Sequence, residues 1–340
     1  MTMSKRPAVD ASVNALASAA STGPGSQVAA GTLRIRVRAA GINFADLMAR
    51  VGLYPDAPKI PCVVGYEVAG TIDQIGAGVT GFREGDRVFA MPHFGGYSDT
   101  LVVPAAQVFA MPAAMGFEEA AGVPVVYLTA HHMMLFTGTL RPDSSVLIHS
   151  AAGGVGLAAI QIAKMRGCTI FGVASAGKHD FLREQGVTHP IDAGGDYAAA
   201  VRVIVGNRKV DLILDPVGGP SWTSGYDLLA PCGRLVAFGF SAAAAGKRRN
   251  LFKAGAKLLQ VKRYSPMRLM DDNKTVQGTN MGHLFSQVDL VRSQVVDLIA
   301  MFEAGQIKPR VDRTFSFDQA PAAHHYLHDR KAMGKVVLVP

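Results

Sequence analysis

The chain has 340 residues, 49% of them hydrophobic and 18% charged, and a net charge of +8. That length fits two domains better than one, and the composition makes a large buried core available. No apolar run reaches the roughly 18 residues of a membrane-crossing helix. Three scattered cysteines (Cys62, Cys168, Cys232) provide neither a C-x-x-C pair nor a disulfide framework, so a reducing, cytoplasmic setting is expected.

Residues 1–31 are rich in Ala, Ser, Gly and Thr and read as a flexible arm. Ala15–Ala20 is too short and too weakly apolar for a signal-peptide core. From residue 32 the texture is β. Leu33–Val37 alternates as a strand does, and Val63–Ile75 and Asp86–Ala90 read as short β segments around Gly76, Gly78, Gly81 and Gly85. A compact β-rich domain of about a hundred residues is expected.

Residues 146–156 read Val-Leu-Ile-His-Ser-Ala-Ala-Gly-Gly-Val-Gly. An apolar run stops at a small-residue turn, and an apolar-periodic stretch follows (Leu157, Ala158, Ile160, Ala163). The spacing fits G-x-G-x-x-G with Ala151, Gly153 and Gly156 in the three slots. Such a turn holds a pyrophosphate because backbone N–H groups and the helix dipole face an anion there. Taken alone it reads equally well as an ordinary tight turn. Further strands at Thr169–Ala174, His189–Ile191, Val210–Leu214 and Arg234–Phe238, separated by helical stretches, favour a Rossmann-type doubly wound parallel sheet.

An acid about 20 residues past the glycines marks NAD sites, where it binds the adenosine ribose. Here Val173-Ala-Ser-Ala-Gly-Lys178 carries none, and Ser175 and Lys178 are placed to donate to a 2′-phosphate, which selects NADPH. Gly172–His179 imitates a P-loop, but His179 stands where a magnesium-binding hydroxyl belongs. Between residues 247 and 268 lie eight cations and no acid: Lys247, Arg248, Arg249, Lys253, Lys257, Lys262, Arg263 and Arg268. This stretch reads first as a solvated face and second as a weak contact for an anionic surface; no stable nucleic-acid partner is expected.

Toward the C-terminus a helix is expected at Val288–Phe302, a strand at Thr314–Phe317, a helix around Ala320–Arg330 and a last strand at Gly334–Pro340. The last strand must pair, and its natural home is the first domain, which would make that domain discontinuous. The expected division is an arm at 1–31, a catalytic domain at 32–127 and 284–340, and a cofactor domain at 128–283. His131, His132, His324, His325 and His328 read as surface or packing histidines, and Asp46 and Glu67 as structural polar groups. Trp222 and the methionines read as core.

Several segments together carry a family resemblance: Gly41–Tyr54, Gly65-Tyr-Glu67, Val146–Ala163, Ala174–Ile191, Asp215-Pro-Val-Gly-Gly219, Lys247–Leu251, Gly305–Pro309 and Gly334–Val339. The chain resembles the medium-chain dehydrogenases/reductases over about residues 32–340. Zinc alcohol dehydrogenases carry a Cys and a His zinc ligand where this chain has Asn43 and Tyr66, and the four-cysteine structural-zinc lobe is missing. The resemblance is therefore to the zinc-free quinone oxidoreductase branch and, within it, to the vesicle amine transport protein homologues. It implies a GroES-like catalytic domain, a cofactor domain inserted in it, no metal, and a homodimer formed through an edge strand near Thr275–Met281.

Carried onto these residues, the resemblance puts Asn43 and Thr129 at the nicotinamide. Gly153, Gly154, Val155 and Gly156 fall at the pyrophosphate, and Ser175 and Lys178 at the 2′-phosphate. Phe238, Gly239 and Ser241 fall on the ribose–nicotinamide side. Tyr54 faces the substrate, its phenol a donor to a developing oxyanion; it reads equally as a rim tyrosine. Ala193 stands where quinone reductases often have a tyrosine. The expected activity is NADPH-dependent, metal-independent hydride transfer to a quinone or an α,β-unsaturated carbonyl. Enoyl-thioester reduction is the neighbouring alternative, and a non-enzymatic NADP-binding role at a membrane or RNA is the alternative from another class.

Overall fold

A computed structural model of the chain describes residues 28–59, 61–138, 140–244 and 260–340. The chain divides into two compact units, one running up to Val125 and resuming at Pro309–Pro340, the other Val126–Lys308.

The first unit is built on a seven-stranded sheet. Its strands are β1 (Thr32–Ile42), β2 (Val68–Ile75), β3 (Arg87–Ala90), β4 (Thr100–Pro104), β5 (Val108–Ala110), and, from the C-terminal segment, β12 (Val311–Ser316) and β13 (Lys335–Val339). The order is β12-β13-β1-β2-β3-β5, with β4 also paired to β1. β1 shows why the sequence chooses a strand: Leu33, Ile35 and Val37 are buried while Arg34, Arg36 and Arg38 alternate with them. Arg34 ties β1 to β2 through Asp73 at 2.8 Å. The terminal strand pairs antiparallel with β1 and parallel with β12, so the β domain is discontinuous, as its unpaired apolar pattern required. The core gathers Leu33, Ile35, Val68, Val88, Val108, Val336 and Leu338.

The strand expected from Val63 begins only at Val68. Gly65, at φ +107, breaks the extended run, and its N–H is taken by the Asp46 carboxylate at 3.1 Å. At the N-terminus, the segment 29–31 forms a turn bonded to Ala77 and Thr32. The rest of the expected arm, up to residue 27, lies outside the described residues.

The second unit carries a six-stranded sheet in the order β11-β10-β9-β6-β7-β8. Its strands are β6 (Ser145–His149), β7 (Thr169–Ala174), β8 (His189–Asp192), β9 (Val210–Asp215), β10 (Leu229–Ala237) and β11 (Thr275–Gly278). Every pairing is parallel. Val146, Leu147 and Ile148 are all buried, as are Leu212, Ile213 and Leu214. Unbroken apolar runs of this kind belong to sheets covered on both faces. Read from β6, the strands run outward as β6-β7-β8 on one side and β9-β10-β11 on the other. That is the doubly wound arrangement, with its topological switch point between β6 and β9.

The expected domain limit at residue 284 is corrected to 308/309. The helix Val288–Glu303 packs on Val126–His131 in the second unit. Its Gln294, 1% exposed, meets Nδ1 of both His131 and His132 at 3.3 Å. Helical periodicity reveals an apolar face but not the element that covers it. The methionines are not uniformly core either: Met267 and Met270 are 63% and 61% exposed on the helix Pro266–Asp272. Among the described residues no helix is long and apolar enough to cross a membrane.

Candidate functional site

In the second unit, β6 ends at His149 and the chain turns through Ser150, which takes a left-handed φ of +53. The helix Gly154–Met165 then begins, with Gly153 as its N-cap. Its first intrahelical bond runs from the Leu157 N–H to the Gly153 carbonyl at 2.9 Å. The N–H groups of Gly154, Val155 and Gly156 precede that bond, and helix geometry leaves them facing outward for an acceptor. Gly156 is a steric requirement. A Cβ there would lie 2.4 Å from the Ala151 carbonyl oxygen. Gly154 packs against Val126, whose Cγ1 lies 3.0 Å from where a Cβ would stand. Thr129 follows one turn later on Val126–His131 and is buried. The turn thus has the close-packed glycines and outward amides that suit a dinucleotide pyrophosphate.

At the end of β7, Ser175 caps a short 3-10 turn, Ala176–Lys178. Ser175 is extended at φ −61, ψ 146, just outside the turn, and Lys178 is its last residue. The Lys178 N–H closes the turn on the Ser175 carbonyl at 2.9 Å. An anion at this strand end would meet a hydroxyl and an ammonium, with no acid at the tip of β7 itself. Ala193 lies at the neighbouring strand end, its N–H on the Ala174 carbonyl at 2.9 Å.

The loops after β9 and β10 are stitched together. Phe238 N–H donates to the Asp215 carbonyl at 3.2 Å, and Ser241 N–H to the Pro216 carbonyl at 2.9 Å. A Cβ on Gly239 would stand 3.1 Å from the Pro216 oxygen. Phe238, Gly239 and Ser241 therefore lie at the same C-terminal strand edge as the glycine turn. Residues from Lys247 to Lys257 of the basic stretch lie outside the described residues.

Two residues here escaped the sequence reading. His149 and Asp215 end the strands that flank the switch point, and both are buried. Asp215 Oδ1 accepts from the Val217 and Gly218 N–H groups, and Oδ2 from the Ser221 hydroxyl, which fixes the turn after β9. His149 Nε2 lies 3.8 Å from Asp215 Oδ2 and makes no hydrogen bond. Burial lowers the His149 pKa, against the pull of the Asp215 charge. Polar residues closing apolar runs (Val-Leu-Ile-His, Leu-Ile-Leu-Asp) were the signal.

In the first unit the chemistry gathers around Asn43, which opens the helix Phe44–Arg50. Its amide Nδ2 donates to Glu67 Oε1 at 2.8 Å, and its Oδ1 accepts from Lys335 Nζ at 2.7 Å. Lys335 also pairs with Glu67, whose second oxygen accepts from the Val125 N–H at 2.8 Å. All three side chains are buried. A buried ion pair is tolerable when hydrogen bonds satisfy its remaining atoms, and this one orients the Asn43 amide at both ends. Gly41 lets the network close, since a Cβ there would stand 2.6 Å from Glu67 Oε1 and 2.7 Å from Lys335 Cε. Sequence reading missed Lys335, although a lysine heading the apolar strand Lys335–Val339 was a visible anomaly.

Beside this network lies a second one. Asp46 is fully buried and accepts from Asn43 N–H at 2.7 Å and Gly65 N–H at 3.1 Å. The Tyr97 hydroxyl lies 3.1 Å from Asp46 and 3.2 Å from His324 Nε2. Burial pushes the Asp46 carboxyl up to about 7, against its hydrogen bonds and the charge of Lys335. Burial and the nearby Arg50 charge pull His324 down to about 3. Asp46, read as a structural polar group, and His324, read as a surface or packing histidine, are both buried and are joined through one phenol.

The two positions aligned with zinc ligands sit differently. Asn43 is held as described. Tyr66 is buried, its ring 4.8 Å from Phe94 and 5.9 Å from Tyr54 at an interplanar angle of 78°. Tyr54 is half-buried.

The comparisons with known proteins agree with this architecture. Residues 29–113 match the alcohol dehydrogenase GroES-like domain family, and residues 185–338 the zinc-binding dehydrogenase family. The synaptic vesicle membrane protein VAT-1 homolog of Mus musculus is 42% identical over 312 residues, covering 91% of this chain and 77% of that protein. The Escherichia coli quinone oxidoreductase complexed with NADPH superposes with a TM-score of 0.81 at 28% identity, over 94% of this chain and 95% of that one. The CurK enoyl reductase gives 0.79 at 27% identity, over 93% of each chain. The chain belongs to the zinc-free quinone oxidoreductase branch of the medium-chain dehydrogenase/reductase superfamily, among the VAT-1 homologues.

Proposed function

We propose that the chain is an NADPH-dependent, metal-independent reductase that transfers hydride to a quinone or an α,β-unsaturated carbonyl. The observation that carries the reading is the pair of positions aligned with zinc ligands. One holds an amide whose two ends are engaged by Glu67 and Lys335, and the other a phenol. Acceptors with a conjugated carbonyl take hydride without a Lewis acid, whereas oxidation of a simple alcohol is difficult without one. NADPH, when bound, supplies the hydride. Gly153, Gly154, Val155 and Gly156 are the residues that would hold its pyrophosphate, with Ser175 and Lys178 for its 2′-phosphate. Thr129, Phe238, Gly239 and Ser241 line its nicotinamide side. Asn43, unable to rotate within its network, presents a fixed amide, and Tyr54 donates to the acceptor oxygen. Support comes from the Escherichia coli relative, whose structure holds NADPH. The test is NADPH oxidation with a panel of quinones and enones, together with Kd for NADPH and NADH. Turnover with tighter NADPH binding is expected; tighter NADH binding, or binding without turnover of any acceptor, contradicts the reading.

A second reading rests on the name of the mouse relative, a synaptic vesicle membrane protein. The end of the basic stretch carries exposed Lys262 and Arg263 beside the exposed Met267 and Met270. Cations flanking apolar side chains suit an anionic lipid surface. Co-sedimentation with anionic vesicles, lost on charge reversal at Lys247, Arg248 and Arg249, would favour this reading.

A further inference from the structure

The segment Gly172–His179 departs from a P-loop at its last position, where His179 replaces the magnesium-binding hydroxyl. The imidazole has a different partner. His179 Nε2 lies 3.3 Å from the Ala174 carbonyl oxygen, five residues back, across the turn that carries Ser175 and Lys178. A carbonyl only accepts, so Nε2 carries the hydrogen and donates. The same carbonyl accepts from the Ala193 N–H at 2.9 Å. The last carbonyl of β7 therefore joins the start of the helix His179–Gln185 to the residue that follows β8.

The turn that this bond spans is exposed. Ser175, Ala176 and Gly177 all face solvent, and nothing lies within 4 Å of where a Cβ on Gly177 would stand. The Lys178 N–H closes the turn on the Ser175 carbonyl. A single turn fixes several dihedral angles for one hydrogen bond and does not hold its shape unaided. The imidazole adds a second tie between its two ends.

We infer that His179 is a positioning residue for cofactor discrimination, its bond to the Ala174 carbonyl holding the turn in the shape in which Ser175 and Lys178 meet the adenosine 2′-phosphate. The inference rests on the NADPH reading and adds a specificity-determining residue to it. His179 acts through Ser175 and Lys178 and need not touch the cofactor. A turn ordered before the phosphate arrives spares the entropy of ordering it on binding. The gain falls on NADPH, because NADH has a hydroxyl in place of that phosphate and makes weaker bonds to a hydroxyl and an ammonium. Nε2 keeps its hydrogen when the ring gains a second proton, so the tie survives protonation.

The test compares His179→Ala, which removes the donor, with His179→Gln, whose amide nitrogen can stand in for Nε2. Kd for NADPH and for NADH is measured on wild type and both variants. His179→Ala should raise the NADPH Kd at least fivefold and leave the NADH Kd within twofold, and His179→Gln should bring NADPH binding back to within twofold of wild type. NADPH binding unchanged in His179→Ala, both cofactors weakened alike, or no rescue by glutamine overturns the inference. Amide hydrogen exchange at Lys178 in the free protein reads the tie without the cofactor. Exchange should quicken in His179→Ala and slow again in His179→Gln; unchanged exchange in His179→Ala also overturns the inference. A wild type that binds NADH at least as tightly as NADPH would remove the NADPH reading and the discrimination with it, even where exchange shows the tie. A wild type that prefers NADPH, with a His179→Ala that prefers it equally, would remove the inference alone.

Discussion

Asp46 and His324 meet through a single phenol and titrate in opposite senses. When Asp46 is ionised, Tyr97 donates to it and accepts from His324 Nε2; when Asp46 is protonated, it can donate to Tyr97, which turns its own proton toward His324. His324 stays neutral in both arrangements. The Asp46 carboxyl, raised from 3.8 to about 7, contributes stability that is complete below about pH 4 and lost as pH rises through 7. His324, lowered from 6.5 to about 3, contributes stability that is present above pH 6.5 and lost as pH falls toward 3. The two slopes oppose between pH 4 and 6.5, so wild type alone conceals both. Urea unfolding of Asp46→Asn against wild type should show a difference that changes between pH 4 and 7, by at most about 1.4 kcal/mol per unit. A pH-independent difference would show that Asp46 is ionised throughout. At the glycine turn, Gly156→Ala forces a Cβ onto the Ala151 carbonyl at 2.4 Å. NADPH Kd should rise at least tenfold, about 1.4 kcal/mol, with the far-ultraviolet spectrum unchanged; equal binding would remove the turn from the site.

At the scale of elements, the terminal strand is also a functional part. β13 delivers Lys335 to Asn43 and Glu67, so the polar network needs the last segment of the chain. Lys335→Met leaves the Glu67 carboxylate buried without its cation. Removing one partner of such a pair costs about 3–5 kcal/mol. Guanidinium unfolding should show that loss, whereas a change below about 1 kcal/mol would mean the pair is dispensable. The parallel sheet and the glycine turn were legible in the sequence because strand and helix periods and the turn chemistry are local properties. The same holds for the short turn that joins Ser175 to Lys178, which is a local feature. The polar networks were not legible, because Asn43 and Lys335 are 292 positions apart and Tyr97 and His324 are 227 apart. No local pattern reports which distant side chains converge. The helix Val288–Glu303 was recognised as a helix but given to the wrong unit, since its partner is fixed by Gln294 meeting His131 and His132.

At the scale of the whole molecule, among the described residues β11 ends the six-stranded sheet, pairing on one side with β10. An open strand edge is a template for a second chain. We predict a homodimer joined there, which sedimentation should show as twice the 35.8 kDa chain mass. A monomer at micromolar concentration would refute it. One unit carries outward amides on a parallel sheet and the other an oriented amide; in the proposed reductase the first would hold the cofactor. The most direct test is to supply NADPH deuterated at the transferable C4 position, with an enone and a metal chelator. The product should carry one deuterium at its β-carbon at an undiminished rate. Product without deuterium, or activity abolished by the chelator, would contradict metal-independent hydride transfer.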